Sequence, residues 1–418
     1  MLYGRRKSKP LVLAACWLAL VALASLLSAQ SLTEVRGRLY LDGQLVTIAI
    51  KDGRIQSITR EQADASTSDL PYVAPGLIDN QVNGYLGVDF VSDSLSVDDV
   101  RKATEGLWRA GVTTYLPTLT TNTRERLLRS FGVLAQAVQE PDLARSIPGF
   151  HLEGPYISPV DGYRGAHNRA WVRPPDWEEF QALNKAAGGK ILQVSLAPEV
   201  EGAVDFIRKL AAQGIRVALA HHNGSADQIK TAVDHGARIS THLGNGCANT
   251  INRHDNPLWP QLADDRLSAS IIADGFHLRP AQIQTFFKVK GLHNLILTSD
   301  VISLAGMPPG EYRRHEQTVV VAPEGVVRIP AQNVLAGAAA TLDRGIENFM
   351  RFTGASLGDT IHLATRNPAR FYNFNDRGEI ATGKRADLIL FTLDQGKLTI
   401  TRTIVAGEVV YDRPAGSR

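Results

Sequence analysis

Cysteine is nearly absent. The 418 residues include two, Cys16 and Cys247. Cys16 falls in an N-terminal stretch whose removal would leave one, so no internal disulfide would support the mature fold. An excess of one charge is missing too. Four of the 45 basic residues, Arg5, Arg6, Lys7 and Lys9, stand in that acid-free stretch, and taking them away leaves 41 against 42 acidic residues. A body so near neutrality offers no reason to expect nucleic acid or an anionic surface as partner. No G-x-G-x-x-G follows a first strand, which weakens the case for a doubly wound open sheet without removing it. Neither an internal repeat nor a low-complexity linker interrupts the chain. With 44% apolar and 21% charged residues, the composition is globular and long enough for one large core or two domains.

Residues 1–29 are basic through Lys9 and then uncharged and apolar from Leu11 to Ala29. That is the layout of a secretory signal, with small residues permitting cleavage near Ala24 or Ala29, and the run is also long enough to stay as a membrane anchor. Leu13-Ala14-Ala15-Cys16 has the form of a lipoprotein cleavage box. A genuine leader predicts export, periplasmic or anchored outside the cytoplasm, with membrane contact only through this segment. A mis-started extension would leave a cytoplasmic protein.

From Ser31 to Thr59 apolar and polar residues alternate around the turns Asp42-Gly43 and Asp52-Gly53, and the texture returns from Gly383 to Tyr411. Both predict antiparallel strands, and the two ends (30–75 and 376–418) are expected to build one small β-sandwich. Between them (76–375) strands alternate with helices. Apolar runs at Gly76–Gln81, Val112–Pro117, Ile147–Glu153, Ile191–Ala197, Val217–His221, Ile239–His242, Leu267–Ala273 and Leu295–Asp300 predict an α/β fold, a (β/α)8 barrel of the TIM type. Gly111 and Gly214 follow helical segments as stops.

The stretch from Arg216 to Asn245 carries a histidine at the end of each of two successive strands, His221 and His242. Barrels of this kind place their chemistry at the C-terminal strand ends, and adjacent strands lie about 4.8 Å apart, so the two imidazoles can share one ion. Other strands end in Asp79-Asn80-Gln81-Val82-Asn83, in His151-Leu152-Glu153-Gly154-Pro155 and in Ser299-Asp300. Two imidazoles and a carboxylate suit zinc or a similar divalent ion with a position left for water. Asp300, with no basic neighbour in sequence, is placed to take and return a proton. Cys247, just beyond His242, reads as a small apolar residue before it reads as a ligand.

Taken together, Pro75-Gly76-Leu77-Ile78-Asp79, Gly111-Val112-Thr113-Thr114, His151-Leu152-Glu153-Gly154-Pro155, Gly165-Ala166-His167-Asn168, Thr241-His242-Leu243 with Asn245, Asp274-Gly275-Phe276-His277 and Thr298-Ser299-Asp300 resemble the N-acetylglucosamine-6-phosphate deacetylases of the amidohydrolase superfamily. The likeness spans Ser31 to Tyr411. It implies a barrel with a small sandwich, one divalent ion such as Zn2+, and hydrolysis of an acetamido group on an amino sugar to acetate and a free amine. It also implies roles for individual residues. Glu153, His221 and His242 match the metal ligands, Asp300 the acid/base and His167 the histidine that polarises the acetyl carbonyl. His277 and Arg253 match the sugar-phosphate contacts, and Asn245-Gly246 the sugar-binding backbone. A homodimer is common among such proteins, although no stripe in this sequence points to one.

The sequence departs from the family in the loop Gly244–Pro260, where the usual H-L-x-N-A-M becomes His242-Leu243-Gly244-Asn245-Gly246-Cys247. Many amidohydrolases carry H-x-H after the first strand for a second metal. Gln81 and Asn83 stand there instead, and amides are poor zinc ligands, so a single-metal site is expected. No lysine ends the fourth strand, where Ala197-Pro198-Glu199 stands, which disfavours a carboxylated-lysine dinuclear centre. His222 and His254 read as supporting residues. Three other readings stay open: an amidohydrolase of cyclic amides or N-acyl amino acids, a sugar-binding barrel without catalysis, and a structural partner-binding barrel.

Overall fold

The computed structural model describes Met1 and residues 33–62, 69–314 and 316–414. The leader and the cleavage sites expected in it lie outside these residues. Among the described residues no helix is long and apolar enough to cross a membrane.

Strands β1 (Thr33–Leu39), β2 (Leu45–Lys51), β3 (Arg54–Arg60) and β4 (Tyr72–Pro75) come from the N-terminal part, and β19 (Leu388–Asp394), β20 (Lys397–Val405) and β21 (Glu408–Asp412) from the C-terminal part. They form one seven-stranded sheet in the order β21-β20-β19-β4-β1-β2-β3. The two chain ends meet where β4 runs antiparallel to β19 and parallel to β1.

The chain leaves this sheet at Pro75 and enters the barrel at Leu77. Eight parallel strands follow: β5 (Leu77–Val82), β8 (Val112–Thr120), β9 (Phe150–Glu153), β10 (Ile191–Leu196), β11 (Arg216–Leu219), β12 (Ala237–Ser240), β13 (Ser268–Ile272) and β14 (Leu295–Thr298). Nearly every residue in them is buried, as in strands covered on both faces. They pair in chain order, and the nearly closed ring is completed at the strand ends, where Asp300 N–H donates to Gln81 O at 3.1 Å and Asn83 N–H to Val301 O at 2.8 Å. Two further short strands, β6 (Gly84–Tyr85) and β7 (Val88–Asp89), form a hairpin beside the first barrel strand.

Pro117 lies inside β8, which the sequence reading ends there. The strand tolerates it because its pairing changes at that point: β8 pairs with β5 up to Pro117 and with β9 from Thr118 onward. Its last residues reach the site. Helices cover the barrel as their capping residues dictate. Ser96 and Ser225 each close a capping box, with Asp99 and Gln228 as the third residue. Gly111 stops the first helix at φ 79°, and a Cβ there would stand 2.9 Å from Ile400 of the terminal sheet. One continuous core therefore joins barrel and sheet.

A second, small core belongs to a four-stranded antiparallel sheet inserted after β14, in a stretch where the sequence predicts no element. It consists of β15 (Gly310–Arg314), β16 (Gln317–Val321), β17 (Val327–Ile329) and β18 (Val334–Leu335). Val319, Val321, Val327 and Ile329 pack there against Ile302 and Leu304. This flap closes one side of the barrel mouth.

Candidate active site

The strand ends deliver the side chains. Glu153 is the last residue of β9, while His221, His242 and Asp300 each stand two residues beyond the end of their strand. All three have left-handed backbones, with φ of 50°, 36° and 52°. Such a conformation costs a non-glycine residue about 1–3 kcal/mol and turns the side chain from the strand into the barrel mouth. Neighbouring hydrogen bonds hold the bends: Ser158 N–H to His221 O at 3.0 Å, Asn245 N–H to His242 O at 2.9 Å, and Ala338 N–H to Asp300 O at 3.0 Å. Gly246 packs so closely on this turn that a Cβ would lie 2.9 Å from His221 N.

Glu153, His221 and His242 offer one donor atom each within 4.8 Å of one another. His242 Nε2 is 2.9 Å and His221 Nε2 3.4 Å from Glu153 Oε1. His221 Nδ1 lies 3.2 Å from Tyr163 O. A ring hydrogen donated there leaves Nε2 as a lone-pair donor facing the carboxylate. Burial opposes the Glu153 charge, yet the adjoining His221 and His242 imidazoles hold its carboxyl well below the ordinary carboxylate range. Burial pulls His221 down, and it would pull His242 down as well were it not outweighed by the hydrogen bond to Glu153 and the charges of Glu153 and Asp300. A carboxylate and two imidazoles sharing a proton in this way form a set from which a divalent cation displaces that proton, so the residues fit one ion.

Asp300 Oδ1 accepts from Gln81 Nε2 at 3.0 Å and Asn83 Nδ2 at 2.6 Å. The same Gln81 nitrogen donates to Glu153 Oε1 at 2.9 Å, so one amide bridges both carboxylates. Burial and then the Glu153 charge push the Asp300 carboxyl up to about 6, against the pull of His242, His277 and Asn83. His167 Nε2 lies 3.1 Å from His221 Nε2, and its Nδ1 2.7 Å from Thr121 Oγ1. Arg164 donates to its carbonyl. His151, though part of the same strand-end motif, is a barrel-core residue: it lies 2.6 Å from Ser195 Oγ, and burial pushes it down to about 4.

The Amidohydrolase family model matches this chain over residues 72–410, which takes in every residue of the site. The chain belongs to the amidohydrolase family. Curated relatives include the N-acetylglucosamine-6-phosphate deacetylase of Bacillus subtilis, 30% identical over 378 residues, covering 87% of this chain and 92% of that protein. The N-acetylgalactosamine-6-phosphate deacetylase of Escherichia coli O157:H7 is 32% identical over 358 residues, covering 85% and 92%. Among solved structures, the N-acetylglucosamine-6-phosphate deacetylase of Thermotoga maritima superposes with a TM-score of 0.80 at 27% identity, covering 91% of this chain and all of that one. A point mutant of the Mycobacterium smegmatis deacetylase, in complex with N-acetyl-D-glucosamine-6-phosphate, also gives 0.80 at 28% identity, covering 90% and 99%.

In this amidohydrolase the site opens into a cleft of about 480 Å3 lined by Glu153, His167, His221, His242, Asp300, Asn245, Gly246 and His277. Asp274 orients His277, its Oδ2 lying 2.7 Å from Nδ1. The Asn245 side-chain nitrogen is buried with no partner among the described residues. Arg253 is not brought to this cleft: it is exposed on the outer loop, its carbonyl accepting from the Trp259 indole at 2.9 Å. Cys247 lies on the cleft wall as a half-buried free thiol. His222 is buried, accepts from Gly224 N–H, and is pushed down to about 4 by burial. The sequence reading missed Thr121, the donor role of Gln81 and Asn83, and the flap residues Arg314, Arg328 and Asn333 that line the other wall.

Proposed function

We propose that the chain removes the acetyl group from an N-acetylated amino sugar, releasing acetate and the free amine. The observation that carries this reading is the convergence of three metal-donor atoms, Asp300 and His167 in one cleft. Glu153, His221 and His242 would hold a single divalent ion, best matched by Zn2+ for an oxygen and two imidazole nitrogens. Such an ion supplies Lewis acidity toward a carbonyl and lowers the pKa of water.

The remaining chemistry belongs to the chain. Gln81 and Asn83 occupy Asp300 Oδ1, which leaves Oδ2 to take a proton from the attacking water and hand it to the departing nitrogen. With the Thr121 hydroxyl donating to Nδ1, His167 carries its hydrogen on Nε2 and donates it to the acetyl oxygen as negative charge develops there. Asn245 and His277 contact the sugar. A genuine leader would mean export, and export favours a sugar without a phosphate, since phosphorylated sugars are made and kept inside the cell; a mis-started extension would leave the phosphorylated sugar as the substrate.

The test is metal analysis of the purified protein together with acetate release from N-acetylglucosamine and its 6-phosphate. One ion per chain and acetate from at least one of the two sugars are expected. Two ions at full occupancy would refute the mononuclear site. Hydrolysis of a cyclic amide or an N-acyl amino acid, with no N-acetyl sugar cleaved, would move the chain to another amidohydrolase activity.

A further inference from the structure

The barrel has one seam without a ladder. Every other pair of neighbouring strands shares a register, β13 with β14 and β5 with β8 among them. Among the described residues β14 and β5 share none, and beyond their ends an isolated bridge joins Val82 to Val301. At that seam lies Asp79, in β5, fully buried and used by no step of the chemistry above. No cation pairs with it among the described residues, and its Oδ2 is sealed without a partner there. Its hydrogen bonds converge on Oδ1, which accepts from the Thr298 hydroxyl at 3.0 Å, from Ser299 N–H at 3.1 Å and from Gln81 N–H at 3.3 Å.

Those three donors belong to the residues that build the turn at Asp300. Thr298 ends β14 and Ser299 follows it, so Asp79 holds the two residues from which the left-handed bend departs. Gln81 is the other half of the turn: its carbonyl accepts Asp300 N–H at 3.1 Å and its side-chain nitrogen donates to Asp300 Oδ1 at 3.0 Å. One buried oxygen therefore fixes both the bend and the group to which the bend is hydrogen-bonded. A fully buried carboxyl without a cation is costly, whereas an apolar residue would pack there without that cost. The residues that fit the ion stand at the ends of β9, β11 and β12, none of which borders this seam.

We infer that Asp79 is a positioning residue for Asp300: its Oδ1 stands in for the missing ladder and sets the place of the Asp300 carboxyl in the cleft. The consequence for turnover rests on the reading of Asp300 as acid and base, but the placement itself does not.

The test measures metal content, kcat and KM for acetate release in Asp79→Ala and Asp79→Asn, with a crystal structure of each. Asparagine keeps an acceptor oxygen at the seam, so Asp79→Asn should hold kcat within about fivefold, the worth of one weakened hydrogen bond. Asp79→Ala should keep the ion, and KM within about twofold, yet lose about a hundredfold in kcat, the effect of misplacing a reacting group by about 1 Å. In an Asp300→Asn background the alanine substitution should cost less than about threefold, because a residue that acts through Asp300 then has nothing left to position. Four results would overturn the inference: an equal loss in both backgrounds, a lost ion, Asp79→Asn falling as far as Asp79→Ala, or an Asp300 carboxyl that keeps its hydrogen bonds to Gln81 and Asn83 in crystals of Asp79→Ala. Should Asp79→Ala fail to fold, Thr298→Val removes one seam donor and leaves the carboxyl. It should lower kcat about fivefold with KM unchanged, and an unchanged kcat would equally overturn the inference. An Asp300→Asn loss of only a few-fold would refute the acid and base reading alone, since the crystal structures still show whether Asp79 holds the turn.

Discussion

Glu153, His221, His242 and Asp300 stand at the ends of the barrel strands, and hydrogen bonds from other strands and loops fix each of them. Arg314, Arg328 and Asn333 stand on a four-stranded sheet with a small core of its own, and one of these arginines has no partner among the described residues. The carboxylates of the floor are thus tied within the chain by Gln81, Asn83 and the imidazoles, while the flap rests on its small core. Preorganised charge suits the bond-breaking step; a wall packed separately from it suits selection among substrates.

The sharpest way to break this division is to strike the floor. His242→Ala should lose the ion and with it several kcal/mol of transition-state stabilisation, about a thousandfold in turnover. Asp300→Asn should keep the ion and still lose about a hundredfold or more. Metal analysis beside acetate release tells them apart, and an Asp300→Asn loss of only a few-fold would point to another base.

A middle-sized effect concerns the proton. Asp300 must be ionised to act as base, and its carboxyl is raised to about 6, so kcat/KM should fall as pH drops through about 6 and level off above it. Asn83 favours the ionised form by donating to it at 2.6 Å. Asn83→Ala should therefore move this acid limb to higher pH by about one unit, the worth of one hydrogen bond to a charged group. A limb that stays in place would assign it to a different residue.

The smallest effect on turnover is expected from the flap core. Ile329→Ala should cost that core about 2–5 kcal/mol and raise KM several-fold while leaving the ion in place and kcat within about twofold. Loss of metal in this variant would show that floor and flap are one unit, and the division drawn here would fail.

The same division governs what could be read without coordinates. All eight barrel strands were legible, because strands buried on both faces leave short, largely apolar runs between helical segments, and Glu153, His221, His242 and Asp300 stood out as polar residues ending them. The flap left no such mark. Its strands are two to five residues long and partly exposed, and Pro308-Pro309 precedes them, so neither period nor apolar density announces it. Thr121 was missed for a local reason: Pro117 reads as a strand end, yet the chain changes partner there and continues to Thr120. Gln81 and Asn83 could be read as a missing second metal site, but their hydrogen bonds to two carboxylates depend on strands far apart in sequence.

The left-handed backbones at His221, His242 and Asp300 restrict what evolution or a mutagenesis library can place there. Residues branched at Cβ are strongly disfavoured in that conformation, whereas asparagine and aspartate adopt it comparatively readily. Saturating any of the three positions should therefore yield survivors sorted first by whether they can make the turn. A threonine failing at 221 would say little about metal chemistry, and an asparagine folding there without activity would say a great deal.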